Sequence, residues 1–139
     1  MSERAPRLGL ALGGGAARGL AHIGVLRVFE EAGIRPDVIV GTSAGAIAGV
    51  FHAAGVSWQR MASWASSLRW RMIARPVVSR LGLTSNERLG WLLERALPVR
   101  RFDELSIPFA CMATDLESSE PVLLCEGELA SAVRASCAI

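Results

Sequence analysis

At 139 residues the chain has room for a single domain with a real hydrophobic core. It is 51% apolar and 20% charged, which excludes a disordered segment, and its net charge of +2 gives nucleic acid no footprint to bind. All basic residues are arginine, a compositional habit that carries no mechanism.

The first element is "RLGLAL" (7–12), a short buried strand stopped by Gly13-Gly14-Gly15. A helix is expected from Ala17 to Ala32, with His22, Leu26 and Phe29 on one face and Gly33 as its stop. On that face His22 reads as a packed core histidine. "DVIV" (37–40) is a second strand, followed by a helix from Ala44 to Ala54 that Gly55 closes. Strand, glycine loop, helix, strand, tight turn and helix is the order of a parallel α/β sheet.

Residues 56 to 101 differ in kind. They hold Trp58, Trp64, Trp70 and Trp91 and nine arginines against two acids, Glu87 and Glu94. Thr84 and Glu87 have the spacing of a capping box for a helix reaching Leu97. "IPFACMATDL" (107–116) and "PVLLC" (121–125) are third and fourth strands, and "ELASAVRASCAI" (128–139) starts a last helix. The whole chain, 1–139, is expected to be one domain.

Two apolar stretches imitate targeting signals. In "RAPRLGLALGGGAA" the glycine triplet breaks the helix that a secretory signal needs. Val38 to Gln59 carries no formal charge, but small residues outnumber Leu and Ile, so a strand turning into a buried helix explains it better. Cys111, Cys125 and Cys137 are odd in number and form no C-x-x-C pair, which points to a reducing, cytoplasmic compartment. Neither histidine sits at ligand spacing from a cysteine, so no metal is expected.

The chemistry lies in the two glycine motifs. A nucleotide loop is disfavoured: Arg18 stands where G-x-G-x-x-G needs glycine, and Leu20 where a P-loop needs lysine. Gly41-Thr42-Ser43-Ala44-Gly45 fits G-x-S-x-G, the turn that projects a nucleophilic serine between a strand and a helix. The same stretch also fits a small-residue helix interface, with Gly41, Gly45 and Gly49 at every fourth position. A serine that transfers acyl groups needs nearby backbone N–H groups facing the oxyanion, and a glycine loop entering a helix supplies them.

"GGGAARGLAHIGVL" followed by "GTSAGAIAG" resembles the patatin-like phospholipase family, bacterial branch, with Ala17 as one extra residue before Arg18. "ATDL" (113–116) and "AVRASCAI" (132–139) resemble further family blocks. The resemblance implies a three-layer α/β/α sandwich with a mostly parallel sheet. It makes Ser43 the nucleophile and Gly13, Gly14 and Gly15 the oxyanion donors, with Arg18, Gly41 and Gly45 supporting them. The substrate implied is a lipid or phospholipid ester, with no cofactor. The family's partner for the serine is an aspartate in a D-G-[GA] motif after the A-S-x-A-I block. No D-G pair occurs here, so the expectation is a domain truncated after that block, inactive as it stands.

Local alternatives for the base are poor. His52 lies nine residues beyond Ser43, about 13 Å along a continuous helix. Asp115 ends a predicted strand, where a turn-capping role is the commoner one. Arg18 read alone is as well explained as a solvated helix residue. The Arg/Trp segment 56–101 fits either peripheral contact with a membrane surface or an ordinary packing helix. Two other function classes stay open: a serine hydrolase with a downstream histidine, and a non-enzymatic membrane-associated module resting on the G-x-x-x-G spacing.

Overall fold

The computed structural model describes residues 7–67, 75–79 and 82–138. Strand β1 (Gly9–Leu12) leads through the glycine triplet into a 3-10 turn (Ala16–Leu20) and helix α1 (Ala21–Glu31). Then come β2 (Val38–Thr42), α2 (Ala44–Ala53) and α3 (Trp58–Ser67). A hairpin of β3 (Arg75–Ser79) and β4 (Gly82–Ser85) precedes α4 (Glu87–Ala96). The described chain closes with β5 (Phe109–Thr114), β6 (Pro121–Leu124) and α5 (Leu129–Ser136).

The main sheet has the order β1-β2-β5-β6. β1, β2 and β5 run parallel, with Leu12 beside Gly41 and Gly41 beside Cys111. β6 is antiparallel to β5, as a short hairpin connection demands. This is the expected α/β architecture with a mostly parallel sheet. Helix α2 lies over the face carrying Leu12, Ile39 and Phe109, all three of which stand against Gly49. α5 packs beside it on β5. Residues on the opposite face, such as Ala11 and Val38, are exposed. The core between sheet and helices is completely dry at Leu26, Ile39, Val50, Leu129 and Val133. Each such side chain contributes about 1.5–3 kcal/mol by leaving water.

Chain punctuation follows the glycines as read. Gly33 has φ +66° and receives the end of α1, while Ile34 N–H reaches back to the Phe29 carbonyl at 2.8 Å. Two readings need correction. The helix expected from Ala17 is a 3-10 turn followed by an α-helix that begins only at Ala21. Arg18 N–H closes on the Gly15 carbonyl three residues back, and Gly19 is pressed against Ala44 at the start of α2. The capping box of Thr84 is absent because that residue belongs to β4, and Asn86 occupies the cap position. Asn86 spends its side chain elsewhere, donating to the Arg134 carbonyl at 2.8 Å and so tying α4 to α5. The β3–β4 hairpin has no counterpart in the sequence reading. Trp70 lies outside the described residues.

Candidate active site

Ser43 is the hinge between β2 and α2, with φ +51° and ψ −118°. For a residue with a Cβ this backbone costs on the order of 1–3 kcal/mol and persists only where the surroundings hold it. Three contacts do. Its N–H donates to Ser136 Oγ at 2.9 Å, and its carbonyl accepts from Ile47 N–H at 3.1 Å. The third is close packing on both sides of the turn. A Cβ on Gly41 would lie 2.5 Å from Ala46 Cα, and one on Gly45 only 2.6 Å from the Gly13 carbonyl oxygen. Only glycine permits these approaches. The G-x-x-x-G glycines are thus consumed inside the domain, against β1 and the sheet. Ser43 holds the N-cap position of α2, yet its hydroxyl makes no cap hydrogen bond. A serine there ordinarily caps its own helix. Here the half-buried hydroxyl leaves the cap unmade and meets the Cys137 thiol instead.

The glycine loop comes to this turn. A Cβ on Gly14 would stand 3.6 Å from Ser43 Cβ and 3.7 Å from the Thr42 carbonyl oxygen, so Gly14 is the neighbour of the serine. Among the described residues, the Gly14 and Gly15 amides have no hydrogen-bond partner. Exposed as they are, these donors meet solvent or a ligand. Gly13 joins the loop to β1, and its carbonyl accepts a hydrogen bond from His22 Nε2 at 2.7 Å. Arg18 is exposed and touches the loop from behind: its Cβ lies 3.6 Å from where a Gly15 Cβ would be. Its main-chain N–H donates to the Gly15 carbonyl at 2.9 Å.

His22 is therefore not the core histidine that the helical periodicity suggested. Because α1 starts at Ala21, His22 sits in the first turn, half exposed and turned toward the loop. Ser136 was missed altogether. Its signal was its place in the A-S-x-A-I block, but nothing in spacing alone ties residue 136 to residue 43. Next to it, burial pushes the Cys137 thiol up to about 11, opposed by a hydrogen bond with the Ser43 side chain. Burial does the same to Cys111, also to about 11, with Cys137 nearby adding to it. Both thiols are neutral at physiological pH and inert as bases.

The remaining candidates for a base are engaged elsewhere. Asp115 Oδ1 accepts from Glu117 N–H at 2.8 Å and Ser118 N–H at 2.9 Å, and these bonds hold its pKa below the usual carboxylate value. It caps the β5–β6 turn, as a carboxylate at a strand end commonly does. His52 lies 3.5 Å from Glu30, whose carboxylate also receives Trp58 N–H at the start of α3. Burial lowers the His52 pKa, with Glu30 pulling the other way. Among the described residues no three metal-ligating side chains gather.

Beside the serine opens an apolar cavity of about 620 Å³. Its floor is one face of α2, formed by Ala44, Ile47, Ala48 and Phe51. Met61 and Trp64 of α3 and Leu92 of α4 form its walls, and Ala16 and Leu20 border it on the loop side. Phe51 and Trp64 pack with ring centroids 5.0 Å apart. Ala44 directly follows the serine, so the cavity starts next to Ser43.

A model of the patatin-like phospholipase family matches residues 10–139. The chain belongs to that family. An NTE family protein of Mycobacterium tuberculosis is 40% identical over 137 residues, covering 96% of this chain and 38% of the relative. Patatin-like phospholipase domain-containing protein 6 of Homo sapiens is 33% identical over 138 residues, which are 93% of this chain and 10% of that protein. Lysophospholipase nte1 of Aspergillus fumigatus is 30% identical over 135 residues, 93% of this chain and 9% of its own length. The chain thus spans well under half the length of these relatives. Among solved structures the type III effector protein ExoU superposes with a TM-score of 0.62 at 17% identity, over 96% of this chain and 39% of that one. That likeness shows a shared patatin-like fold. The family match covers both glycine motifs and the helix that bears Ser136.

Proposed function

We propose that the chain is the nucleophile-bearing part of a serine lipid acyl hydrolase of the phospholipase A or esterase type. Ser43 Oγ gives its proton to the base and attacks the ester carbonyl. The carbonyl's bond to the alcohol oxygen breaks, and the alcohol leaves with that proton. Water then hydrolyses the acyl-Ser43 intermediate, freeing the fatty acid and restoring the hydroxyl. The oxyanion that forms at each step faces the amides of the Gly13–Gly15 loop and the N-terminal end of α2. The proton acceptor in this reading is the family's aspartate, in a D-G-[GA] motif outside residues 1–139. One observation carries the proposal: a serine hydroxyl that leaves its helix uncapped on a strained turn, with Gly14, whose amide has no partner among the described residues, as its neighbour.

The apolar cavity supports a lipid substrate, whose acyl chain would run from the reacting carbonyl past Ala44 into it. No described helix is long and apolar enough to cross a membrane. The arginine–tryptophan pairs of α3 and α4 support an approach to lipid on that side, and the odd, unpaired cysteine count supports the cytoplasm as the compartment.

The test uses the longer protein that carries the D-G-[GA] aspartate. Ser43→Ala should abolish hydrolysis of a nitrophenyl ester and labelling by a fluorophosphonate, with the circular dichroism spectrum unchanged. Undiminished labelling of that variant would remove Ser43 from the mechanism. Residues 1–139 alone should turn over the ester at least about a hundredfold more slowly, since the serine then lacks its general base.

A further inference from the structure

We propose that His22 is a positioning residue for the oxyanion loop, acting through the carbonyl of Gly13; this rests on the reading of Gly14 N–H as an oxyanion donor. His22 Nε2 stands 2.7 Å from the Gly13 carbonyl oxygen. A carbonyl oxygen only accepts, so the ring carries its proton on Nε2 and donates it. The Gly13 carbonyl shares one peptide plane with the Gly14 N–H. In a trans peptide these two groups point in opposite directions, and the described chain has no cis bond. Fixing the carbonyl toward α1 therefore fixes the Gly14 N–H away from it. That amide belongs to the residue whose Cβ position lies 3.6 Å from Ser43 Cβ.

Gly45 packs against the Gly13 carbonyl oxygen, and His22 adds a directional hydrogen bond to that packing. Three successive glycines have the widest choice of backbone conformation of any residues, and a free peptide between them can flip. A flipped Gly13–Gly14 peptide would present a carbonyl oxygen, and not an N–H, to the developing negative charge. On the far side, the Gly15 carbonyl is held by Arg18 N–H at 2.9 Å. His22 thus holds the Gly13–Gly14 peptide and the Arg18 amide holds the Gly15–Ala16 peptide, with the Gly14–Gly15 peptide between them. His22 itself is anchored in the first turn of α1, four residues before the fully buried Leu26.

Three variants of the longer, active protein test this, with kcat taken per fluorophosphonate-titrated site. His22→Phe removes the donor and keeps an aromatic ring. It should lower kcat by about ten- to a hundredfold, less than outright loss of an oxyanion donor, with KM within about twofold. His22→Gln keeps an N–H donor of similar reach and should recover most of that loss. Ser43→Ala is the control for the underlying reading. A drop in thermal stability shared by the Phe and Gln variants with kcat unchanged would overturn the proposal, and so would a loss that Gln does not rescue. Should His22→Phe fail to fold, the ring nitrogens of the unaltered 139-residue chain decide. Long-range 15N NMR should find Nε2 protonated, and an Nε2 without its proton overturns the clamp. If Ser43→Ala stays active while Nε2 is protonated, the hydrolase reading fails and the hydrogen bond does not.

Discussion

The turn at Ser43 and the tryptophan-bearing helices α3 and α4 lie on opposite sides of the same cavity and are built on opposite principles. At the turn the side chains are small and the backbones touch. Gly45 rests on the last carbonyls of β1 and the loop, Gly41 on Ala46, and Gly19 on Ala44. Every atom there is placed by its neighbours. Across the cavity the contacts are between large side chains that keep one edge in water. Arg27 lies 4.8 Å over the Trp58 ring, Arg60 lies 5.4 Å over Trp64, and Arg95 lies 4.7 Å over Trp91. Trp91 is 55% exposed. Such stacked pairs contribute about 0.5–1 kcal/mol each and tolerate exchange. One wall is rigid, set by backbone contact around Ser43; the other is adaptable, set by side chains that can shift.

The largest expected effects test that rigidity. Gly45→Val should cost more than about 4 kcal/mol or prevent folding, because its Cβ would collide with backbone carbonyls that cannot retreat. Trp91→Ala, the most drastic truncation on the adaptable side, should stay within about 1 kcal/mol in urea denaturation. Equal losses would erase the distinction between the two walls. A smaller but more informative effect is expected from filling the cavity. Ala48→Phe places a ring on its floor and should lower kcat/KM on a long-chain ester by about tenfold or more, from overpacking of about 1–3 kcal/mol. A two-carbon ester should lose less than about twofold. If both esters suffer equally, the cavity does not hold the acyl chain.

How much of this was legible beforehand divides along the same line. The rigid wall could be read because glycine spacing and strand–helix order are local facts: Ser43, Gly14 and Gly45 stand where the motif puts them. The helix stops at Gly33 and Gly55 were equally local. What could not be read was whatever depends on a second segment arriving. Ser136 reaches Ser43 N–H across 93 residues of sequence. His22 was assigned to the core by a period of 3.6 that presumed a helix from Ala17. The period among His22, Leu26 and Phe29 holds, but the α-helix begins only at Ala21, so His22 stands in its first turn and its ring meets the loop and not the core. Thr84 was expected to cap a helix and lies in a strand, because hairpin pairing overrode the local signal. In the Arg/Trp segment composition spoke of a surface, but composition has no register and could not say which tryptophans face the cavity.

The thiols beside the turn give a pH handle on it. Cys111 and Cys137 are both raised by burial to about 11 from an ordinary 9.0. A group whose folded pKa is raised stabilises the fold fully below its unfolded value and loses that contribution as pH climbs through the folded one. Stability should therefore decline between about pH 9 and 11, more steeply in the unaltered protein than in a Cys111→Ala/Cys137→Ala variant, whatever its starting stability. Parallel denaturation curves for the two across that range would show that the thiols are not held neutral by the fold.

The smallest expected effect concerns the adaptable wall and the membrane. If the Arg60–Trp64 and Arg95–Trp91 pairs face lipid, their guanidinium groups meet anionic headgroups while the indoles enter the interface. Each arginine near such a surface adds about 1 kcal/mol, so Arg60→Gln together with Arg95→Gln should weaken binding to phosphatidylserine vesicles by about tenfold or more. The loss should shrink as salt is raised, because attraction over more than about 10 Å is screened at 0.1 M. Binding to neutral phosphatidylcholine vesicles, where only the indoles contribute, should not change. Hydrolysis of a dissolved short ester should also be unaffected, since neither arginine touches the turn at Ser43. Unaltered binding of the double variant to anionic vesicles at low salt would return the stacked pairs to plain packing. The approach to lipid would then have to be sought on another face of the molecule.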